Sequence, residues 1–163
     1  MYQLICRVFC LILVCCISLG CFVRPVRAED YGRLTSIGAD FSGKDLTDSS
    51  FTQAKFPDSN FSHTNLREVS LFGANLENVN FEGADLSYAT LSTARLVNAN
   101  FTNAILEGVL AYNARFAGAT IDGADFTDAL IREDELKKLC AIASGTNPVT
   151  GRDTRESLNC DYL

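Results

Sequence analysis

The chain has 163 residues, a formal net charge of −6, 21% charged and 47% hydrophobic residues, seven cysteines and one histidine. An acidic balance of this kind argues against direct binding to nucleic-acid backbones or anionic lipid headgroups. There is no nucleophile elbow and no phosphate-binding glycine loop, and the lone His63 has no identifiable partner. The chain therefore reads as a non-enzyme with no cofactor.

Residues 1–28 form a class of their own. Arg7 precedes an uncharged apolar run from Val8 to Val23, and Arg24 to Ala28 follow before the acidic start at Glu29. With Val26 and Ala28 as small residues at the cleavage site, this pattern predicts a secretory signal peptide removed after Ala28. An uncleaved anchor, or a lipoprotein modified at Cys21, are the alternatives, the latter weakened by Ser18 where a Leu is usual. After cleavage the chain has no membrane segment, and losing three Arg and no acid takes the net charge from −6 to −9. Five cysteines leave with the signal. The remaining pair, Cys140 and Cys160, is expected to form a disulfide in an exported domain, the alternative being two free buried thiols.

Residues 29–38 are a short N-terminal lead-in or cap. From Phe41 to Ile131 every fifth residue is large and apolar, with Ala111 the one exception. Neither a helix nor a strand keeps a five-residue period on one face, so the chain must turn a corner at each repeat. Two residues before each centre the side chain is small, most often Ala, with Lys44 the bulky departure. A small and a large inward residue separated by an outward one describe one side of a narrow tube filled by side chains. The position two after the centre is often Gly or Asn, which accept the positive φ of tight turns.

The tandem pattern of Ala39-Asp40-Phe41-Ser42-Gly43 and Ala84-Asp85-Leu86-Ser87-Tyr88 resembles the pentapeptide-repeat family over 39–133. The resemblance implies an all-β solenoid, a right-handed quadrilateral β-helix of nearly five coils, with four pentads and twenty residues in each coil. Residues twenty apart then stack. Phe41, Phe61, Phe81 and Phe101 should form one ladder ending at Ile121, and the core should be underfilled or pinched at Ala111.

Residues 134–163 carry a C-terminal helical cap and a disulfide-tied tail. Asp134 to Ala143 reads as a helix with Asp134 as N-cap, acids first and lysines after, as the helix dipole favours. It is the candidate cover for the exposed solenoid end. The run Leu139-Cys140, Ala143 to Gly151, Thr154 to Leu158 and Cys160 resembles the end of thylakoid-lumen pentapeptide proteins of plants and cyanobacteria. With the short bacterial-type signal, this points to a cyanobacterial protein of the thylakoid lumen or periplasm.

Candidate sites follow from the outward positions. Asp45, Asn65, Asp85 and Asp125 share a column that could attract Ca²⁺, but the repeat itself places Asp or Asn there, so no metal is expected. Apolar residues at outward positions are more informative. Phe72, Leu110, Tyr112 and Leu130 fall on one side of the rod and form the candidate protein contact, the alternative being that Leu130 and Tyr112 lie beneath the cap or tail. The expected function is a non-catalytic scaffold or protein-binding module, monomeric or weakly associating, with a protein partner. The alternative, an acidic DNA-mimic rod inhibiting a type II topoisomerase, is disfavoured by export.

Overall fold

The computed structural model describes residues 29–162; the expected signal peptide and the Cys21 alternative lie outside them. One motif repeats along the rod. Each centre sends its N–H to the carbonyl nineteen residues on, as Phe61 does to Asn80 (2.7 Å), and the residue before it reaches back twenty-one, as Asn60 does to Ala39 (2.9 Å). The result is a parallel bridge every five residues between positions twenty apart, from Asp30 with Ser50 to Ile105 with Asp125. The chain is thus a four-sided coil with the five-residue register pointing its centres inward. Residues 30–38, read above as a lead-in, already run in this register, with bridges from Asp30 and Thr35.

The corners explain the composition two after each centre. Every such position from Arg33 to Asp128 except Asp48 has φ between 55° and 74°. Gly is used at some of them, but Glu68, Tyr88 and even β-branched Thr93 adopt the left-handed conformation as well. The register, not the local residue, imposes the turn.

Inside, the phenyl ladder forms as the step of twenty requires: the rings of Phe41 and Phe61 stack at 4.7 Å and those of Phe81 and Phe101 at 5.2 Å. Tyr31 extends the neighbouring column and stacks on Phe51 at 4.7 Å, which brings an aromatic lid to the N-terminal end. Lys44 breaks the small-residue rule in the first described coil, and its Nζ lies 4.9 Å from the centre of the Phe41 ring. Ala111 is buried. At that level pairing lengthens: β1 (Leu110–Ala111) runs parallel to β2 (Leu130–Ile131) as a two-residue ladder.

Helix α1 (Glu133–Cys140) follows β2 directly. Asp134 is not its N-cap. Arg132 holds that position without a side-chain cap bond, and the Asp134 carboxylate pairs with the Arg132 guanidinium at 3.0 Å in the first turn. The helix also ends earlier than Ala143, its last turn closing at Cys140. Leu139 and Cys140 are buried against the solenoid. A second short helix, α2 (Thr154–Ser157), is N-capped by Asp153, and a 3₁₀ turn spans Cys160–Tyr162. A disulfide joins Cys140 to Cys160.

These elements sit where a further coil would otherwise continue. The Phe116 N–H donates to the Glu135 carboxylate at 3.4 Å, Gly123 N–H to the Ser144 carbonyl at 2.8 Å and Phe126 N–H to Ser157 Oγ at 3.0 Å. Asn147, buried, sends Nδ2 to the carbonyls of Gly123, Asn103 and Ala104, while its Oδ1 accepts from the N–H groups of Val149 and Thr150. Strand-edge groups left without a next coil thus find polar partners in the tail.

Candidate functional site

Of the four apolar outward residues, Leu110 and Leu130 stand on one side, and Phe72 and Tyr112 stand in the turns that end it. Leu110 and Leu130 are bridged directly, and Phe72 and Tyr112 stand two coils apart in the column beside them. They are 42% (Phe72), 38% (Leu110), 51% (Tyr112) and 46% (Leu130) exposed, so neither α1 nor the tail covers them. The covering alternative fails on that observation. Tyr88 lies at the adjoining corner and is held there: its hydroxyl donates to Glu107 at 2.9 Å and the Arg67 guanidinium lies 5.8 Å from its ring centre.

The rest of this side is as informative as its apolar members. Between Ser50 and Asn113 its other outward residues are Ser, Thr, Gln, Gly and Asn, and none is charged. Each of the other three sides carries charge, for example Glu82, Arg67 and Glu77. Hydroxyls are tied down here, Thr52 to Ser70 at 2.8 Å and Ser92 to the Leu110 carbonyl at 3.3 Å.

Its two corners differ in charge. One holds Asp48, Glu68, Tyr88, Gly108 and Asp128; the other holds Gln53, Gly73, Thr93 and Asn113, and beyond it the next side begins with Lys55, Asn75, Arg95 and Arg115. Asp48, Glu68, Asp128, Lys55, Arg95 and Arg115 are all exposed. Arg95 is engaged by Glu77 at 3.1 Å. Counting outward apolar residues finds the centre of the face but not this frame, which emerges only when the step of twenty is applied to the corners.

A family model described as a pentapeptide repeat region matches residues 44–126. The chain belongs to the pentapeptide-repeat family. Its fold is the right-handed quadrilateral β-helix of that family. A solved pentapeptide repeat protein from the Arabidopsis thaliana thylakoid lumen is 37% identical, with a TM-score of 0.71, over 80% of this chain and 91% of that one. Two Arabidopsis proteins described as chloroplastic are also similar. Thylakoid lumenal protein TL20.3 is 58% identical over 26% of this chain, and thylakoid lumenal 15 kDa protein 1 is 47% identical over 30%. Those matches span 15% and 22% of the plant proteins' own lengths.

The family pattern accounts for the polar columns. Asp45, Asn65, Asp85 and Asp125 each accept from the backbone N–H two residues on, closing a local turn. Ile105 interrupts the column. Burial pushes the Asp85 carboxyl up, but hydrogen bonds from Ser87 and the Arg67 guanidinium outweigh it and hold the group below its ordinary value. Asp125 is fully buried beneath Arg152, whose guanidinium lies 3.6 Å from Oδ2 and 3.4 Å from Glu107. Among the described residues no group of three or more His, Cys, Asp or Glu side chains could hold a metal ion. The column one side back is an amide ladder, Asn80 donating to Asn60 at 3.3 Å and Asn100 to Asn80 at 2.9 Å. His63 sits at a corner above Gly83, where an added Cβ would come within 2.5 Å of its Nδ1, so its ring fills a packing position.

Proposed function

We propose that the chain is a non-catalytic protein-binding scaffold of an exported compartment, the thylakoid lumen or the periplasm, and that it binds through the Phe72, Leu110, Tyr112 and Leu130 face. The observation that carries this reading is the exposure of four large apolar side chains on a side of the rod whose outward residues carry no charge from Ser50 to Asn113. Aromatic residues with few charges around them are the composition of interface centres. The lumenal relatives and the short signal-like segment support the compartment. The tail acts as the cap that keeps the solenoid soluble, as the bonds of Glu135, Ser144, Asn147 and Ser157 to the last coil suggest.

The test is cross-linking in lumenal or periplasmic extract with the wild-type chain and a Leu110→Ser, Tyr112→Ser variant. The variant is expected to lose the captured partners. Recovery of an identical set would remove the face from consideration.

A further inference from the structure

We propose that the occupant of this face is an acidic segment of another protein, laid along the corner where the uncharged side meets the next one. Its apolar side chains rest on Phe72 and Tyr112, and its carboxylates reach Lys55, Arg95 and Arg115. The inference rests on the contact reading above and names the chemistry of the partner.

Position is the first argument. Phe72 and Tyr112 stand in the turns that end the uncharged side, and the side beyond those turns carries a column in which Lys55 is bridged to Asn75, Asn75 to Arg95 and Arg95 to Arg115. Tyr112 and Arg115 flank the same turn, Arg95 lies one coil before Arg115, and Lys55 lies one coil before the turn of Phe72. A partner seated on the two aromatic rings therefore reaches these cations without crossing the rod. The corner at the other end of the uncharged side repels the same partner, because Asp48, Glu68 and Asp128 stand there.

Availability is the second. Lys55 and Arg115 are exposed, and neither makes an ion pair with a described residue. Arg33, exposed in the same corner as Phe72, is also without a carboxylate and donates its Nε to Gln53 at 3.3 Å. Every other Lys and Arg of the described residues except Lys44 is paired. The acids around the column are engaged already: Glu77 on Arg95 at 3.1 Å, Asp134 on Arg132 at 3.0 Å, Glu135 on Lys138 at 2.6 Å, and Asp58 on the Asn78 amide at 2.8 Å. A chain of net charge −6 thus gathers its uncompensated cations beside its aromatic corner. The field of the whole protein favours a basic ligand, so a preference for an acidic one can come only from this column.

The test uses the full chain expressed with its own N-terminal segment, recovered from a bacterial periplasm and labelled for amide NMR. The probes are a short synthetic peptide of Glu, Leu and Phe and the same peptide with every Glu replaced by Lys. The Glu peptide should bind about tenfold tighter, the sum of a few exposed ion pairs, should shift the amide signals of Leu110, Tyr112 and Arg115, and should weaken with added salt. Arg115→Gln should cost about threefold in affinity. Lys44→Gln, which removes the same charge from the opposite side of the rod, should cost nothing. Thermal unfolding establishes that both variants keep the solenoid. The proposal is overturned if the Lys peptide binds as tightly, if Glu-peptide binding is the same in Arg115→Gln as in wild type, or if it leaves the Leu110 and Tyr112 signals unmoved. Should any of these occur while capture from extract still depends on Leu110 and Tyr112, the acidic partner is rejected and the contact face stands.

Discussion

The Asn147 side chain donates to the Gly123 carbonyl at 2.9 Å, joining the tail to the last coil across twenty-four residues. The same amide nitrogen lies 3.2 Å from the carbonyls of Asn103 and Ala104, so one buried group serves two adjacent coils. Asn147→Ala should lower stability by about 2–3 kcal/mol, since it leaves the Gly123 and Asn103 carbonyls without a donor as well as removing the bonds themselves, while Ala104 keeps the Asp125 N–H. Asn147→Asp should be no better, because a carboxylate offers no N–H to those carbonyls. Denaturant unfolding under non-reducing conditions measures both; a loss below about 0.5 kcal/mol for Asn147→Ala would mean that water replaces the amide.

The disulfide acts on the same segment from the other side. Cys140 ends α1 and Cys160 opens the last turn, with Arg155 donating to the Cys140 carbonyl at 2.9 Å between them. Closing a twenty-residue loop constrains the unfolded tail, and the Cys140→Ser, Cys160→Ser variant is expected to lose about 3 kcal/mol. The loss should be local first. Amide hydrogen exchange should accelerate at Phe116, Gly123 and Phe126, whose N–H groups meet α1 or the tail, while Phe61 and Phe81 in the middle coils keep their protection.

The inward half of this fold is legible because the constraint is strictly periodic: Phe41 through Ile131 can be read off at steps of five, and the Phe41 to Phe101 ladder at steps of twenty. The start at Tyr31 is harder to see. Ser36 and Lys44 break the size rule in the first described coil, so the register looks as though it begins later. Asn147 is illegible for the opposite reason. Its value comes from carbonyls more than twenty residues away, and a turn-forming Asn before Pro148 carries no mark of that reach. Asp134 shows a third case, a good local N-cap candidate drawn instead into a pair with Arg132. The candidate face is half in view: Phe72, Leu110, Tyr112 and Leu130 violate the polar rule, whereas the lack of charge from Ser50 to Asn113 is visible only when the chain is read in steps of twenty.

Corners store a cost that substitutions can change in either direction. Gly108 has φ of 64°, and a Cβ there would lie 2.5 Å from the Tyr88 ring. Gly108→Ala should therefore destabilise by about 1–2 kcal/mol through the left-handed backbone alone, with the clash added. Tyr88→Ala in the same chain should recover the clash but not the backbone cost, giving a double variant better than the sum of the singles. Thr93, β-branched at φ of 61°, is the converse case. Thr93→Asn should raise stability by about 0.5–1 kcal/mol, because Asn tolerates this conformation. Thermal unfolding of the four variants decides it; an unchanged or lowered midpoint for Thr93→Asn would show that the Thr93 side chain contributes more than its backbone costs.

The acid limb of the stability profile should depend on Asp85. Its carboxylate lies 3.1 Å from the Arg67 guanidinium and accepts from the Ser87 N–H and hydroxyl, and these bonds hold it below its ordinary value despite partial burial. An unfolded Asp titrates near about 3.9, so above that pH the group is charged in both states and its stabilisation is fully present. As pH falls toward the lower folded value, the unfolded chain takes up the proton first and the stabilisation is lost. Stability should thus rise with pH across the window just below about 4. Asp85→Asn keeps an oxygen for the Ser87 N–H but removes the charge facing Arg67. It should be less stable than wild type at neutral pH, with a flatter acid limb, and added salt should narrow the difference because the pair is partly exposed. Urea unfolding from pH 2 to 7 at two salt concentrations measures it, and an acid limb as steep in Asp85→Asn as in wild type would assign the slope to other carboxylates.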